Sequence, residues 1–125
     1  GIQLYRFIGS IYRITTARAV GAHGVIPGLA NLVPRIASRA WEAGESGDQE
    51  AARGYDLKLM AATAISRLAK GGSQQAAGIS GMKSALKLLG VLDSDTVSRP
   101  LRPLTEPEKE GIPAILQELG LSNGS

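Results

Sequence analysis

The first apolar run, Ile2-Gln3-Leu4-Tyr5-Arg6-Phe7-Ile8, is rich in β-branched and aromatic residues and stops at Gly9-Ser10. It predicts a short strand over residues 2–8. Ile2, Leu4 and Ile8 fall on one face and Tyr5 and Phe7 on the other, so both faces ask for cover. Two-sided apolar strands belong to parallel sheets flanked by helices. Ser10 can cap a helix over about 11–20, closed by Gly21. His23-Gly24-Val25-Ile26 then reads as a second strand, 23–26, ahead of Pro27-Gly28. Strand, ten-residue helix and strand make a βαβ unit.

Everything after residue 33 has helical spacing. Pro34 suits a first turn, and a helix over about 34–45 places Ile36, Ala37, Ala40 and Trp41 together. Ser46-Gly47-Asp48 interrupts it, with Ser46 and Gln49 spaced as a capping box. A long helix over about 48–70 repeats Leu57, Met60, Ala61, Ala64, Ile65 and Leu68 at three- and four-residue intervals. After the Gly71-Gly72-Ser73 loop, a helix over about 76–89 carries Ile79, Met82, Leu86 and Leu89, and Gly90 ends it. Residues 91–104 contain Arg99-Pro100-Leu101-Arg102-Pro103, an extended segment. Thr105 with Glu108 forms a second capping box for the last helix, which runs to Leu119 with Gly120 as its cap. Pro113 lies inside that helix and predicts a kink or a split.

Two parallel strands cannot shield their own faces and edges, so neighbouring strands are required. The 125 residues suffice for one domain. With 43% hydrophobic and 20% charged residues the chain is not a disordered one. No apolar run reaches the roughly 18–20 residues of a membrane span, and no targeting segment is visible. The opening on Gly1, already inside a strand pattern, suggests a cut from something longer. The absence of cysteine removes disulfides, thiolate metal sites and cysteine nucleophiles, and fits a reducing, cytoplasmic setting. A single histidine removes any two-histidine metal site.

The charge is uneven. Residues 1–41 hold Arg6, Arg13, Arg18, Arg35 and Arg39 and no acid, although the net charge is only +3. These arginines are scattered among apolar residues, and aromatics are only 4%. The pattern therefore lacks the clustered, base-stacking look of a nucleic-acid surface. His23 reads as a structural residue, since it opens a strand with no acid near it in sequence. Ser10, Thr15 and Thr16 stand outside any Gly-x-Ser-x-Gly elbow. Gly78-Ile79-Ser80-Gly81 lacks a phosphate-loop ending and reads as a close helix contact. Glu42, Glu45, Asp48 and Glu50 read as a solvated acidic run. Lys58, Lys70, Lys83, Lys87 and Lys109 all lie in the helical part, away from strand ends. From composition and spacing alone no enzyme emerges.

The order of motifs adds what spacing alone does not. Gly9-Ser10, followed by Gly21-Ala22-His23-Gly24-Val25-Ile26-Pro27-Gly28-Leu29-Ala30-Asn31-Leu32-Val33-Pro34, resembles the end of a dihydrodipicolinate synthase / N-acetylneuraminate lyase family barrel. In that family a Gly-Ser-Asp turn ends strand seven. Gly-Ala-x-Gly-Val-Ile-Ser forms strand eight, and Asn and Pro open the eighth helix. Trp41-Glu42-Ala43-Gly44 through Ala51-Ala52-Arg53, Ala85 through Gly90, Arg99-Pro100-Leu101 and Leu116 through Leu121 resemble its closing helices.

The resemblance implies an α/β fold: the last two βα units of a (β/α)8 TIM barrel plus a C-terminal helical extension. Residues 1–33 would be the two barrel strands with their intervening helix. Residues 34–125 would be the final barrel helix and the helical region. It further implies a class I, Schiff-base lyase acting on pyruvate or another 2-keto acid. The family's imine lysine and proton-shuttling tyrosine belong to earlier strands, so no catalytic residue is assigned to this sequence. The implied substrate edge is Gly9, Ser10, Ile26, Pro27 and Gly28, at strand C-terminal ends where barrel active sites form. No cofactor and no metal are implied. The implied partners are a small keto acid and further copies of the chain, with no nucleic acid and no membrane. Ile11 replaces the acid usual after the Gly-Ser turn, and Pro27 replaces the common Ser. Gly28-Leu29-Ala30-Asn31 and Gly81-Met82-Lys83-Ser84-Ala85-Leu86 look closer to the branch that cleaves 2-keto-3-deoxy sugar acids or hydroxy-oxoglutarate. The alternative reading is a non-catalytic half-barrel remnant acting through oligomerisation or a protein partner.

Overall fold

A computed structural model describes residues 1–122, with backbone only at Gln74; the last three residues of the 34–125 region lie outside the described residues. The chain forms two compact units, Gly1–Met60 and the part beginning at Ala61. In the first, strand β1 (Phe7–Ile8) runs parallel to strand β2 (Gly24–Val25), with Phe7 beside Gly24 and Ile8 beside Val25. The strand expected over residues 2–8 is thus hydrogen-bonded only at its end. Of its apolar side chains, Ile2, Leu4, Tyr5 and Phe7 are exposed and Ile8 is half-buried.

The segment between the strands departs from the expected helix over 11–20. A short 3-10 turn, Ile11–Arg13, is capped by the Ser10 hydroxyl, and further turns lead to Gly21. Its backbone bonds mix three-, four- and five-residue spacings, as in Ala17 N–H to Ile14, Val20 N–H to Thr16 and Ala22 N–H to Ala17. Ile11, Ile14, Thr15 and Thr16 crowd four β-branched residues into six positions, which disfavours a regular α-helix. Ile14 and Ala17 are nonetheless buried in the core of this unit.

Helix α1 (Pro34–Ser46) has Pro34 in its first turn and buries Ala37, Ala40 and Ala43. Ile36 and Trp41, expected on the same face, are only half-buried. Gly47 closes α1 in the left-handed region at φ 73°. The next cap is Asp48, not the expected Ser46: Ala51 N–H donates to Asp48 Oδ1 at 3.0 Å. Ser46 belongs to α1 and its hydroxyl donates back to the Ala43 carbonyl at 3.2 Å. Helix α2 (Gln49–Ala62) carries the chain into the second unit. It tightens into a 3-10 turn at Thr63–Arg67, so the single helix expected over 48–70 does not form. Leu57 and Met60, expected as core, are 70% and 57% exposed; Leu59, Ala62 and Ile65 are buried instead.

Helix α3 (Gln74–Leu88) is capped by Ser73 and followed by Gly90. Its buried face is made of small residues, Ala77, Ser80, Gly81, Ser84 and Ala85, while Ile79 is exposed and Met82, Leu86 and Leu89 are half-buried. The small residues permit a close approach: a Cβ on Gly81 would overlap the Ile65 carbonyl. The expected close contact at Gly78–Gly81 is therefore present. The returning segment 91–104 is tied to α3 by buried hydroxyls. Ser80 donates to the Arg102 carbonyl at 2.6 Å and Ser84 to Asp95 at 2.9 Å. Thr105 and Glu108 form the expected capping box on α4 (Glu106–Lys109). The chain then breaks before α5 (Ile112–Glu118), with Pro113 in its first turn, so Pro113 splits the last helix. Ile112, Ile115, Leu116 and Leu119 are buried.

Two carboxylates lock this tail. Arg102 makes a two-pronged pair with Glu108, at 2.7 and 2.8 Å, and Glu108 also accepts from the Lys70 and Thr105 amides. Asp95 accepts from Ser84 and pairs with Lys87 and Lys109. The Arg102 guanidinium, then the two amides, hold the Glu108 carboxyl well below its usual range. Lys109, then Ser84, do the same for Asp95. Depressed carboxyl pKa values stabilise the fold above the unfolded-state values of 4.5 and 3.8 and stop doing so as pH falls. We expect the melting temperature of the helical signal to hold from pH 7 to pH 5 and to fall by several degrees below about pH 4.5. Glu108→Gln with Asp95→Asn should lower it at pH 7 and flatten the acid limb. A doubly substituted chain with an unaltered acid limb would assign the transition to other groups.

Candidate functional site

Parallel strands leave their C-terminal ends on one side of the sheet. The Ile26 amide donates to the Ile8 carbonyl at 2.9 Å, extending the ladder one step past β2. Gly9-Ser10 therefore leaves β1 beside the point where Ile26-Pro27-Gly28 leaves β2. The fold brings all five sequence-derived site residues to one strand end. Pro27 is buried, Ser10 is half-buried, and Gly9, Ile26 and Gly28 are exposed. Ser10 Oγ accepts from the Tyr12 amide at 3.3 Å, which leaves its own O–H able to donate. After Gly28 the chain turns in 3-10 form through Asn31, whose side-chain amide donates to the Gly28 carbonyl at 2.9 Å. A Cβ at Gly9 or Gly28 would meet nothing within 4 Å, so packing within this chain does not demand glycine at either position.

His23 is structural. Its amide donates to the Arg6 carbonyl at 2.7 Å and its Nδ1 accepts from the Arg6 amide at 3.0 Å. That acceptor role puts the ring proton on Nε2. Tyr5 packs edge-on against the ring at 5.2 Å. Thr15 is buried, and its hydroxyl donates to both Asp56 carboxylate oxygens, at 2.9 and 3.1 Å. That pair joins the crossover to α2, and its backbone passes against Gly44, where a Cβ would overlap the Thr15 carbonyl. Thr15, Thr16, Gly44, Gly47, Arg53 and Asp56 line a cleft of about 350 Å³ beside it. No local pattern joins residues 41 positions apart, so this pair was not legible in the sequence. Among the acidic run, Glu42 and Glu45 pair with Arg39 and Arg18 at the surface.

None of the five lysines sits in an apolar pocket. Lys58 lies over the Tyr55 ring at 5.7 Å, and Lys83 Nζ donates to the Thr96 carbonyl at 2.8 Å. Lys87 pairs with Asp95. Glu106, then Asp95, raise the Lys109 pKa above its usual range and keep it an ammonium ion. Lys70 is exposed. Among the described residues, no group of three His, Asp or Glu side chains could hold a metal ion. No helix among them is long and apolar enough to cross a membrane.

The model of the dihydrodipicolinate synthetase family matches residues 4–119. The chain belongs to that family. It is 32% identical over 119 residues to an uncharacterised DapA-like lyase of Halobacterium salinarum, covering 95% of this chain and 36% of the relative. It is 30% identical over 121 residues to the 4-hydroxy-tetrahydrodipicolinate synthase of Geotalea uraniireducens, covering 97% of this chain and 39% of the relative. The fold superposes on dihydrodipicolinate synthase from Bacteroides thetaiotaomicron with a TM-score of 0.82 and 30% identity, over 92% of this chain and 38% of that one. The chain thus spans somewhat over a third of the length of its family relatives.

Proposed function

We propose that this family member supplies one edge of the substrate site in a Schiff-base lyase acting on pyruvate or another 2-keto acid. In this reading residues 1–33 are the last two barrel strands with their connection, and 34–125 are the final barrel helix and a helical extension. The in-register C-terminal ends of β1 and β2, which put Gly9 and Ser10 beside Ile26, Pro27 and Gly28, are the observation that supports it. Each residue has a physical task. Gly9 lets the keto acid approach the backbone closely. The free Ser10 O–H can donate to the substrate carboxylate. Ile26, exposed in this chain, would exclude water around the amine that forms the imine. Desolvation favours the neutral, nucleophilic amine. The imine lysine and the proton-shuttling tyrosine come from earlier strands. The candidate reactions are that of a 4-hydroxy-tetrahydrodipicolinate synthase and cleavage of a 2-keto-3-deoxy sugar acid or hydroxy-oxoglutarate.

The test joins the upstream strands of the Geotalea synthase to this chain and measures turnover. Gly9→Val should lower kcat/KM by about 100-fold, the loss expected from displacing substrate by about 1 Å. The circular dichroism spectrum should not change, since a Cβ at Gly9 meets open space. Unchanged kinetics would make Gly9 a plain turn residue and remove this strand end from the site.

A further inference from the structure

We propose that Asn31 is a positioning residue for this strand end. Its side-chain amide fixes the Gly28 carbonyl, and through it the Ile26-Pro27-Gly28 backbone against which the keto acid lies. The role rests on the substrate-edge reading above. It adds to that edge a residue that acts through the backbone and makes no substrate contact of its own.

Backbone restraint runs out along this segment one residue at a time. Ile26 is held by its ladder bond to the Ile8 carbonyl at 2.9 Å. Pro27 is buried, its ring fixes φ, and its carbonyl accepts from the Ala30 amide at 3.0 Å. Further on, the buried Leu32 and Val33 anchor the entry to α1. Gly28 lies between these anchors, exposed and with no side chain to pack. Its φ is outside the left-handed region, so the turn itself does not call for glycine. Close approach of a ligand to the backbone is another use of glycine, and its cost is a looser chain at that point.

Asn31 supplies the missing restraint. Its Nδ2 donates to the Gly28 carbonyl at 2.9 Å across the Gly28–Asn31 turn. Short amide side chains favour such local bonds to the backbone. A carbonyl oxygen is the negative end of its dipole, and a keto acid is an anion. A Gly28 carbonyl free to swing would therefore oppose binding, whereas the Asn31 N–H holds it on the turn. The bond is local to four residues, so joining the upstream strands leaves it in place.

The test uses the joined enzyme described above. Asn31→Asp keeps the shape of the side chain and removes the donor. It should lower kcat/KM by about 10- to 100-fold, the scale of a misplaced substrate. Asn31→Gln keeps an amide donor one methylene further out and should recover most of that loss. Both variants should melt within about 3 °C of the parent, since one exposed hydrogen bond contributes little to stability. A second measurement needs no turnover. Nitrogen-15 relaxation of the 125-residue chain should give Gly28 an order parameter of about 0.85 in the parent and in Asn31→Gln, and below about 0.6 in Asn31→Asp. Gly9→Val separates the two readings. A slowed Gly9→Val enzyme beside an unimpaired Asn31→Asp one removes the role of Asn31 and leaves the site standing, whereas silence at Gly9 removes the site. Equal losses in Asn31→Asp and Asn31→Gln, or a Gly28 as ordered in Asn31→Asp as in the parent, would each overturn the proposal.

Discussion

Pyruvate followed by borohydride should leave the 125-residue chain unmodified at Lys58, Lys70, Lys83, Lys87 and Lys109. Imine formation needs a neutral amine, which condenses with the C2 carbonyl and expels water; hydride then adds at C2 and traps the product. An ordinary lysine is neutral in fewer than about one molecule in a thousand at pH 7. Enzymes raise that fraction by burying the amine or setting a second cation beside it. Here the opposite arrangement holds. Lys109 sits between Glu106 and Asp95, and both carboxylates favour its charged form. Lys87 shares Asp95, and Lys83 spends its ammonium on the Thr96 carbonyl. Peptide mapping by mass spectrometry checks the expectation. A stoichiometric adduct on any one of the five would place the imine lysine inside this chain and overturn the division of labour proposed for the site.

The parts of this fold that were legible beforehand are those fixed by local chemistry. Pro34 starts α1, Thr105 and Glu108 cap α4, and Pro113 splits the last helix, because each acts within a few residues of itself. The strand pairing was legible for a related reason. Two short apolar runs separated by one crossover have one common parallel solution, and it placed Gly9 and Ser10 beside Ile26. What failed was the choice of buried face. Apolar periodicity selected Leu57, Met60 and Ile79, which are exposed, over Ser80, Gly81 and Ser84, which are buried. Side-chain hydrophobicity ranks transfer from water. It does not register that small residues let two backbones touch, which is what α3 uses. The crossover failed differently, because capping at Ser10 and closure at Gly21 are equally compatible with a run of tight turns. For the candidate site, the residues were legible through their order along the chain. The Thr15–Asp56 pair was not, since it exists only once the crossover and α2 have met.

A matched pair of glycines on α3 tests whether that close approach carries the second unit. Alanine is favoured over glycine in a helix interior by about 1 kcal/mol, so either substitution gains locally. At Gly78 the new Cβ would lie 2.9 Å from Ser66 Oγ, the end of a small side chain that can rotate away. Gly78→Ala should therefore be close to neutral or slightly stabilising. At Gly81 the obstacle is the Ile65 carbonyl, which belongs to the backbone of the 63–67 turn and cannot rotate aside. Relief requires α3 to move off that turn. The Ser80 and Ser84 hydrogen bonds to Arg102 and Asp95 move with the helix and are strained by the same displacement. Overpacking a filled core costs about 1–3 kcal/mol. Gly81→Ala should lie at the upper end of that range despite its gain in helix propensity, and Gly81→Val should exceed it. Urea unfolding followed by the helical circular dichroism signal reads the difference. Equal midpoints for Gly78→Ala and Gly81→Ala would mean that α3 has room to shift, and that close backbone packing does not hold this unit together.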